Sequence, residues 1–252
     1  MNVIWDGAKY TSDFSFVPRY GMNVTEWIEP GPNCTILDLG CGNGVLSKFL
    51  QDKGYHVKGL DASKELLQVA MDHFPDIPFI QADATDFHLE EPVDVVFSNA
   101  VLHWIDKERH PDMLQCVYQA LKQNGQFVFE LGGYGNNQLI HEALAEVFAE
   151  HGYDYKMPFY FPTISEYTTL LENSGFRVTH AVLFDRPTEL KGDNGMTDWI
   201  HMFIKTPFSI VRGEDEKEIM IGQAADRLRN ALWQNGKWSA DYVRLRIKAI
   251  RL

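Results

Sequence analysis

The feature that most constrains this chain is the apolar run Ile36-Leu37-Asp38-Leu39, which breaks into Gly40-Cys41-Gly42-Asn43-Gly44. A run of strand length that ends beside an acid and meets alternate glycines is a buried strand entering a tight turn. Gly40, Gly42 and Gly44 let the backbone approach a ligand with no side chain in between. Val45 to Leu50 then has helical spacing, so the first amides of that helix are expected to be unpaired and to point back into the turn. Strand, glycine turn and helix in that order open a parallel α/β sheet, and the turn is where a cofactor should bind.

The residues that follow repeat the unit. Strands are expected at Thr35 to Leu39, Tyr55 to Leu60, Phe79 to Gln81, Val93 to Ser98 and Gln126 to Leu131. Between them lie helices at Val45 to Lys53, at Pro111 to Lys122 and from a Ser63 cap to about Phe74. Beyond Gly133, helical spacing recurs near Gln138 to His151 and at Ile164 to Asn173, the latter opened by the capping box Thr163-Ile164-Ser165-Glu166. Arg177 to Phe184 has strand character. Tyr242 to Ile250 alternates apolar and polar residues with period two, the pattern of a half-exposed edge strand. The chain divides into an N-terminal arm over 1–30, a sheet core over 31–187, a helical insertion over 188–241 that can cap the pocket, and a last core strand over 242–252.

Charge narrows the partners. Lys and Arg number 23 against 35 Asp and Glu, a net charge of -12. A broad phosphate-backbone interface needs clustered cations, so nucleic acid is excluded and a small-molecule or peptide acceptor is favoured. Cys34, Cys41 and Cys116 are odd in number and lack metal or redox spacing, which fits buried thiols in a reduced cytoplasmic chain without a metal. No basic segment leads into an apolar one at the N-terminus and no window approaches a membrane span. The expectation is a soluble monomer or homodimer with no membrane partner.

Several side chains fall where strands of an open sheet deliver ligand-binding groups, at their carboxyl ends. Asp61 ends the second strand and can hold a ribose diol or simply cap the next helix. Asp83 ends the third and can accept from an adenine amino group, with Asp86 as its competitor. The fourth strand runs out into Ser98-Asn99-Ala100-Val101-Leu102-His103-Trp104. There His103 is a candidate base or donor and Trp104 a candidate stacking wall, with ordinary packing as the alternative for both. Trp5, Tyr10, Phe14, Phe16 and Tyr20 make the N-terminal arm dense in aromatics, suited to docking over the cofactor or on the domain. Asp198-Trp199-Ile200-His201-Met202-Phe203 reads first as helix core and second as a pocket wall.

A dinucleotide fingerprint wants Gly or Ala at the sixth position of the turn, where Val45 stands, so a nicotinamide cofactor is disfavoured. Asp38-x-Gly40-x-Gly42-x-Gly44 instead resembles motif I of the class I S-adenosylmethionine-dependent methyltransferases. The resemblance extends over nearly the whole chain to the trans-aconitate methyltransferase-like group, through Gly59-Leu60-Asp61-Ala62-Ser63, Ala82-Asp83-Ala84 and Phe97 to Trp104. Later matches are Tyr160-Phe161-Pro162, Leu183 to Thr188, Asp198-Trp199 and Asp241 to Arg246.

It implies a Rossmann-like seven-stranded sheet, mostly parallel with its last strand antiparallel, and helices on both faces. By position it implies that Asp38, Gly40, Cys41, Gly42, Asn43 and Gly44 surround the methionine part of S-adenosylmethionine and that Asp61 and Ala62 hold its ribose. Asp83 and Ala84 would meet adenine. Asn99, His103 and Trp104 would lie near the sulfonium, with Tyr10 closing from the arm. A carboxylate acceptor needs no base, only donors or cations to steer it, for which His103, Arg19, Arg186, His201 and Lys205 are candidates, with Trp5 and Trp199 as walls. A hydroxyl acceptor would require His103 as base. The expected function is O-methylation of a carboxylate on a small acid or peptide. Methyl transfer to another O, N or C atom, and a non-catalytic cofactor-binding role, are the alternatives.

Overall fold

The alternation of apolar runs folds into five parallel strands, β1 (Thr35–Leu39), β2 (His56–Asp61), β3 (Phe79–Gln81), β4 (Val93–Asn99) and β5 (Leu121–Gly132). The computed structural model describes residues 21–29, 31 and 33–252. Two long late strands, β6 (Phe176–Leu190) and β8 (Lys237–Arg251), complete a sheet of order β3-β2-β1-β4-β5-β8-β6, and the two-residue β7 (Trp233–Gln234) pairs with β8 as a hairpin. β8 is antiparallel to both β5 and β6 and is therefore the reversed strand of the sheet. Strand order turns between β1 and β4, the switch point at which open α/β sheets bind ligands.

The helices are α1 (Val45–Asp52), α2 (Lys64–His73), α3 (His110–Ala120), α4 (Gln138–Glu150), α5 (Ile164–Asn173), α6 (Gly195–Phe203), α7 (Lys205–Phe208) and α8 (Glu214–Leu232). The sequence caps act as expected at α2 and α5. The Ser63 hydroxyl accepts from the Leu66 amide at 3.2 Å, and Thr163 accepts from Glu166 at 3.2 Å. The Glu166 carboxylate, however, pairs with Lys107 at 2.5 Å.

Alternate residues of the strands feed opposite faces. Leu37, Leu39, Val96, Phe127 and Phe129 pack with Met113 and Val117 of α3 and with Tyr167 and Leu171 of α5. Ile36, Val95, Phe97 and Val128 pack on Leu46 and Leu50 of α1. A third cluster joins α4, α6 and α8 to Trp238, Ala240 and Tyr242 at the start of β8. Burying each such side chain contributes roughly 1.5–3 kcal/mol. Because β6 continues to Leu190 and β8 begins at Lys237, the helical segment is shorter at both ends than 188–241.

The reading of Tyr242 to Ile250 as a half-exposed edge strand is corrected. β8 lies inside the sheet, and its polar members Arg244, Arg246 and Lys248 are all buried. Period-two alternation reports two different faces, and here the polar face is covered and neutralised. Arg246 donates to Glu130 Oε2 through Nε at 2.9 Å and Nη2 at 2.7 Å. Arg186 donates to both Glu130 oxygens, and Lys248 meets Glu29 at 2.5 Å. Removing one member of such a buried ion cluster leaves uncompensated charge. Glu130→Gln is expected to lower the free energy of unfolding in urea by about 3–5 kcal/mol; a loss under about 1 kcal/mol, within the range of exposed pairs, would show that the cluster is not what holds β8 inside the sheet.

Candidate active site

A cavity of about 370 Å³ opens at the carboxyl ends of β1, β2, β3 and β4 and extends beneath α6 to the start of β8. That volume lies in the range of small-molecule sites. Its wall takes Gly40, Cys41, Gly42 and Asn43 from the glycine turn, Asp61 and Ala62 after β2, Asp83 and Ala84 after β3, and Asn99, His103 and Trp104 after β4. The sequence-derived candidates from four separate strand ends thus share one cavity.

The turn is held from within. Gly40 and Cys41 amides donate to the Leu60 carbonyl at 2.7 and 3.0 Å, Gly42 donates to Asp61 Oδ2 at 2.8 Å, and Gly44 to the Cys41 carbonyl at 3.0 Å. The first three bonds tie β1 to β2 and the last closes the turn; at the helix start, the Val45 amide faces Asn43 Oδ1 at 3.5 Å. The Asp61 carboxylate beside the loop opposes a pyrophosphate and suits a cation. Gly40 (φ +75) leaves no room for a Cβ, which would overlap the Val101 side chain. Gly42 (φ +55) is different, since a Cβ there would have Leu66 as its nearest neighbour at 3.9 Å and would project into otherwise open space at the cavity wall.

Asp38 and Gly44 stand behind the wall. Asp38 is 2% exposed and accepts from the Ser47 hydroxyl at 2.6 Å. Burial pushes its carboxyl up to about 7, against the Ser47 hydrogen bond and with help from the neighbouring Asp61. Burial also raises the Cys41 thiol, with the Asp38 and Asp61 charges adding to it. Asp61 is raised by burial but opposed by amide bonds from Ser63, Gly42 and Ala62; Ser63 donates to its Oδ1 at 2.8 Å. Asp83 lies nearer solvent. Burial raises it, but the Thr85 hydroxyl and amide at 2.6 and 2.9 Å outweigh that and, with the Arg109 guanidinium, hold it below its usual value.

The far end of the cavity is aromatic. Trp104 meets Phe159 edge-on with centroids 4.7 Å apart, Phe159 stacks on Phe161 at 5.4 Å, and Trp199 lies 5.2 Å from Phe203. Trp199 donates to the Tyr242 hydroxyl at 2.6 Å. His103 sits among these rings and is 8% exposed. Its Nδ1 accepts from the Gly132 amide at 3.2 Å, so the ring proton is on Nε2. Burial holds its pKa well below the ordinary histidine value, and the Arg244 guanidinium and the neighbouring His110 ring add to the depression.

The other sequence candidates divide clearly. Trp199 lines the cavity, but Arg186 and His201 do not. Arg186 is committed to Glu130, and His201 lies on the exposed side of α6, where it bonds Thr197 and Glu218 at 2.8 and 2.7 Å. Tyr10, Trp5 and Arg19 lie outside the described residues. Asn136, Asn137, Phe159, Phe161, Tyr242 and Arg244 line the wall without having been assigned a role in the sequence. A signal for two of them existed: Asn136-Asn137 lies in the loop after β5, at the sheet's ligand-binding edge.

The wall contains two non-glycine residues in the left-handed region, Ala100 (φ +59) and Asn137 (φ +54), and such strain concentrates at functional sites.

A methyltransferase-domain family model matches residues 36–125. An uncharacterized methyltransferase of Schizosaccharomyces pombe is 30% identical over 97% of both chains. A trans-aconitate 2-methyltransferase of Rhizobium etli is 22% identical over 85% of this chain and 86% of its own. Among solved structures, a putative methyltransferase from Bacillus halodurans superposes with a TM-score of 0.64 at 16% identity, covering 92% of this chain and 98% of its own.

The raised Asp38 gives a signed expectation. In the unfolded chain an aspartate loses its proton near its ordinary value, whereas in the folded protein Asp38 keeps it up to about 7. Its contribution to stability is therefore full below the ordinary carboxyl range and is lost as pH rises toward 7. Unfolding free energy of the ligand-free protein is expected to fall over that window with a steeper slope in the wild type than in Asp38→Asn. Parallel pH-stability curves would contradict it.

Proposed function

Because the chain belongs to the class I S-adenosylmethionine-dependent methyltransferases, we propose that it methylates a carboxylate oxygen on a small organic acid or on an acid displayed by a peptide. The cavity fits the cofactor in its own terms. Gly42 leaves open the volume that a Cβ would fill, and the Asp61 carboxylate on the wall suits a ligand carrying positive charge. Asp61, whose two oxygens take amide bonds from Gly42, Ser63 and Ala62, keeps acceptor capacity for a ribose diol. Asp83 and Ala84 would border adenine, and Asn99 the methionine end. S-adenosylmethionine supplies a sulfonium-bound methyl: transfer to a carboxylate forms a C–O bond, breaks the C–S bond with its electron pair left on sulfur, and releases no proton.

One observation carries the choice of acceptor, the Gly132 amide bonded to His103 Nδ1. A hydroxyl acceptor must lose a proton and would require His103 as a free base. In this tautomer the ring nitrogen that remains, Nε2, already carries hydrogen, so it can donate but not accept. Taking up a second proton would break the Gly132 bond and charge a buried ring beside Arg244. A donor is what an ionised carboxylate needs, since the acid has no proton to remove near neutral pH. The aromatic wall would keep water from the reacting centre. The trans-aconitate relative, named for an acid substrate, is in keeping with this reading.

The product is expected to be base-labile, as an ester is and an ether or N-methyl product is not. Activity (kcat/KM) should be level between about pH 6 and 8, because His103 does not titrate in the ordinary histidine range. His103→Ala should lower kcat/KM roughly 10- to 100-fold, the value of one hydrogen bond to a charged group, with His103→Gln retaining part of it. An acid limb in the histidine range that vanishes in His103→Gln would overturn the donor role.

A further inference from the structure

We propose that Arg244 anchors the acceptor, and that the subsite it forms selects a single carboxylate carried on an apolar, preferably aromatic, body. The inference rests on the carboxylate reading above and deepens it.

β8 carries a ladder of cations on one face, Lys248, Arg246 and Arg244, and each step brings the next nearer the ligand-binding edge. Lys248 is paired with Glu29 and Arg246 with Glu130, below the cavity. Arg244, opposite Gly132 at the end of β5, is the member that reaches the cavity wall, and it is 7% exposed. Its guanidinium lies 4.2 Å from the centroid of the Tyr242 ring, which holds the fork flat. A planar guanidinium in a water-poor site matches a carboxylate in bidentate fashion, in a way a lysine does not.

His103 and Arg244 line the same cavity, and the Arg244 charge adds to the depression of His103 basicity; in this proposal one carboxylate meets both. Asn137, 2% exposed and held with φ +54, lines the wall; its Oδ1, an acceptor with no hydrogen-bond partner among the described residues, calls for a donor and does not itself bind the carboxylate. Such a cost is tolerated where the surroundings impose it.

The body of the acceptor follows from what surrounds the cation. Phe159, Phe161, Trp199 and Phe203 form the rest of this end. A second or third ionised carboxylate placed among them would be desolvated without a partner. Among the described residues, the other cations of the wall are Lys64 and Arg109. They stand at the opposite end, Lys64 at the start of the helix that follows Asp61 and Arg109 3.8 Å from Asp83. A monocarboxylic acid with an aryl or hydrocarbon body therefore fits better than a tricarboxylate.

The test is a kinetic comparison of 3-phenylpropenoate, a medium-chain fatty acid and trans-aconitate as acceptors for the full-length wild type, Arg244→Gln and Arg244→Lys. Cofactor affinity by calorimetry serves as the control for folding. In the wild type, the two apolar monoacids should exceed trans-aconitate in kcat/KM by at least tenfold. Arg244→Gln should raise their KM about 10- to 100-fold while cofactor affinity stays within about twofold, and Arg244→Lys should recover part of the loss. Preference for trans-aconitate, or esters formed by Arg244→Gln with unchanged KM, would overturn the subsite and leave the carboxylate reading standing. Methylation of hydroxyl or amine acceptors with none of the acids esterified would overturn both.

Discussion

Glu130 is the buried charge on which the far half of the molecule depends. It lies 2% exposed near the end of β5 and accepts from both Arg186 and Arg246. Without an acid there, β8 would carry its cations into the sheet interior uncompensated, at a cost of several kcal/mol per ion. With it, β8 can run antiparallel between β5 and β6. That register sets Tyr242 and Arg244 at the rim opposite the glycine turn and brings Trp199 against Tyr242. The Arg244 end of the cavity is thus a consequence of how one strand is neutralised several residues away.

The opposite end is organised by acids, with Lys64 and Arg109 also on its wall. Asp38 is buried behind the glycine turn and Asp61 faces the cavity, and the turn's amides bond the Leu60 carbonyl and the Asp61 carboxylate. The same residues that make the turn rigid make it unsuited to a pyrophosphate. The two ends differ in lining: acids beside the glycine turn, and aromatic rings with His103 and Arg244 at the far end.

The near half of this arrangement was legible in the sequence, because each signal there is local. Ile36 to Gly44 specifies strand and turn, Asp61 and Asp83 follow strand-like runs, and His103 and Trp104 sit at the exit of β4. The far half was not, because its signals depend on partners distant in the chain. The alternation in Tyr242 to Ile250 was compatible with a solvated face, and only Glu130 and Glu29, more than a hundred residues earlier, make that face interior. Arg186 and His201 had the right chemistry for steering an acid, but the fold turns the first to Glu130 and the second to Glu218. Asn136 and Asn137 were visible at a strand end and carried no motif to single them out.

The proposed role of His103 is to meet the acceptor as a hydrogen-bond donor. Nitrogen-15 NMR of histidine-labelled protein bound to S-adenosylhomocysteine reads its tautomer directly. A neutral ring with hydrogen on Nε2 and a bare Nδ1 is expected between about pH 6 and 8, with no titration in that window. A ring protonated on Nδ1, or one that titrates in the ordinary histidine range, would contradict it.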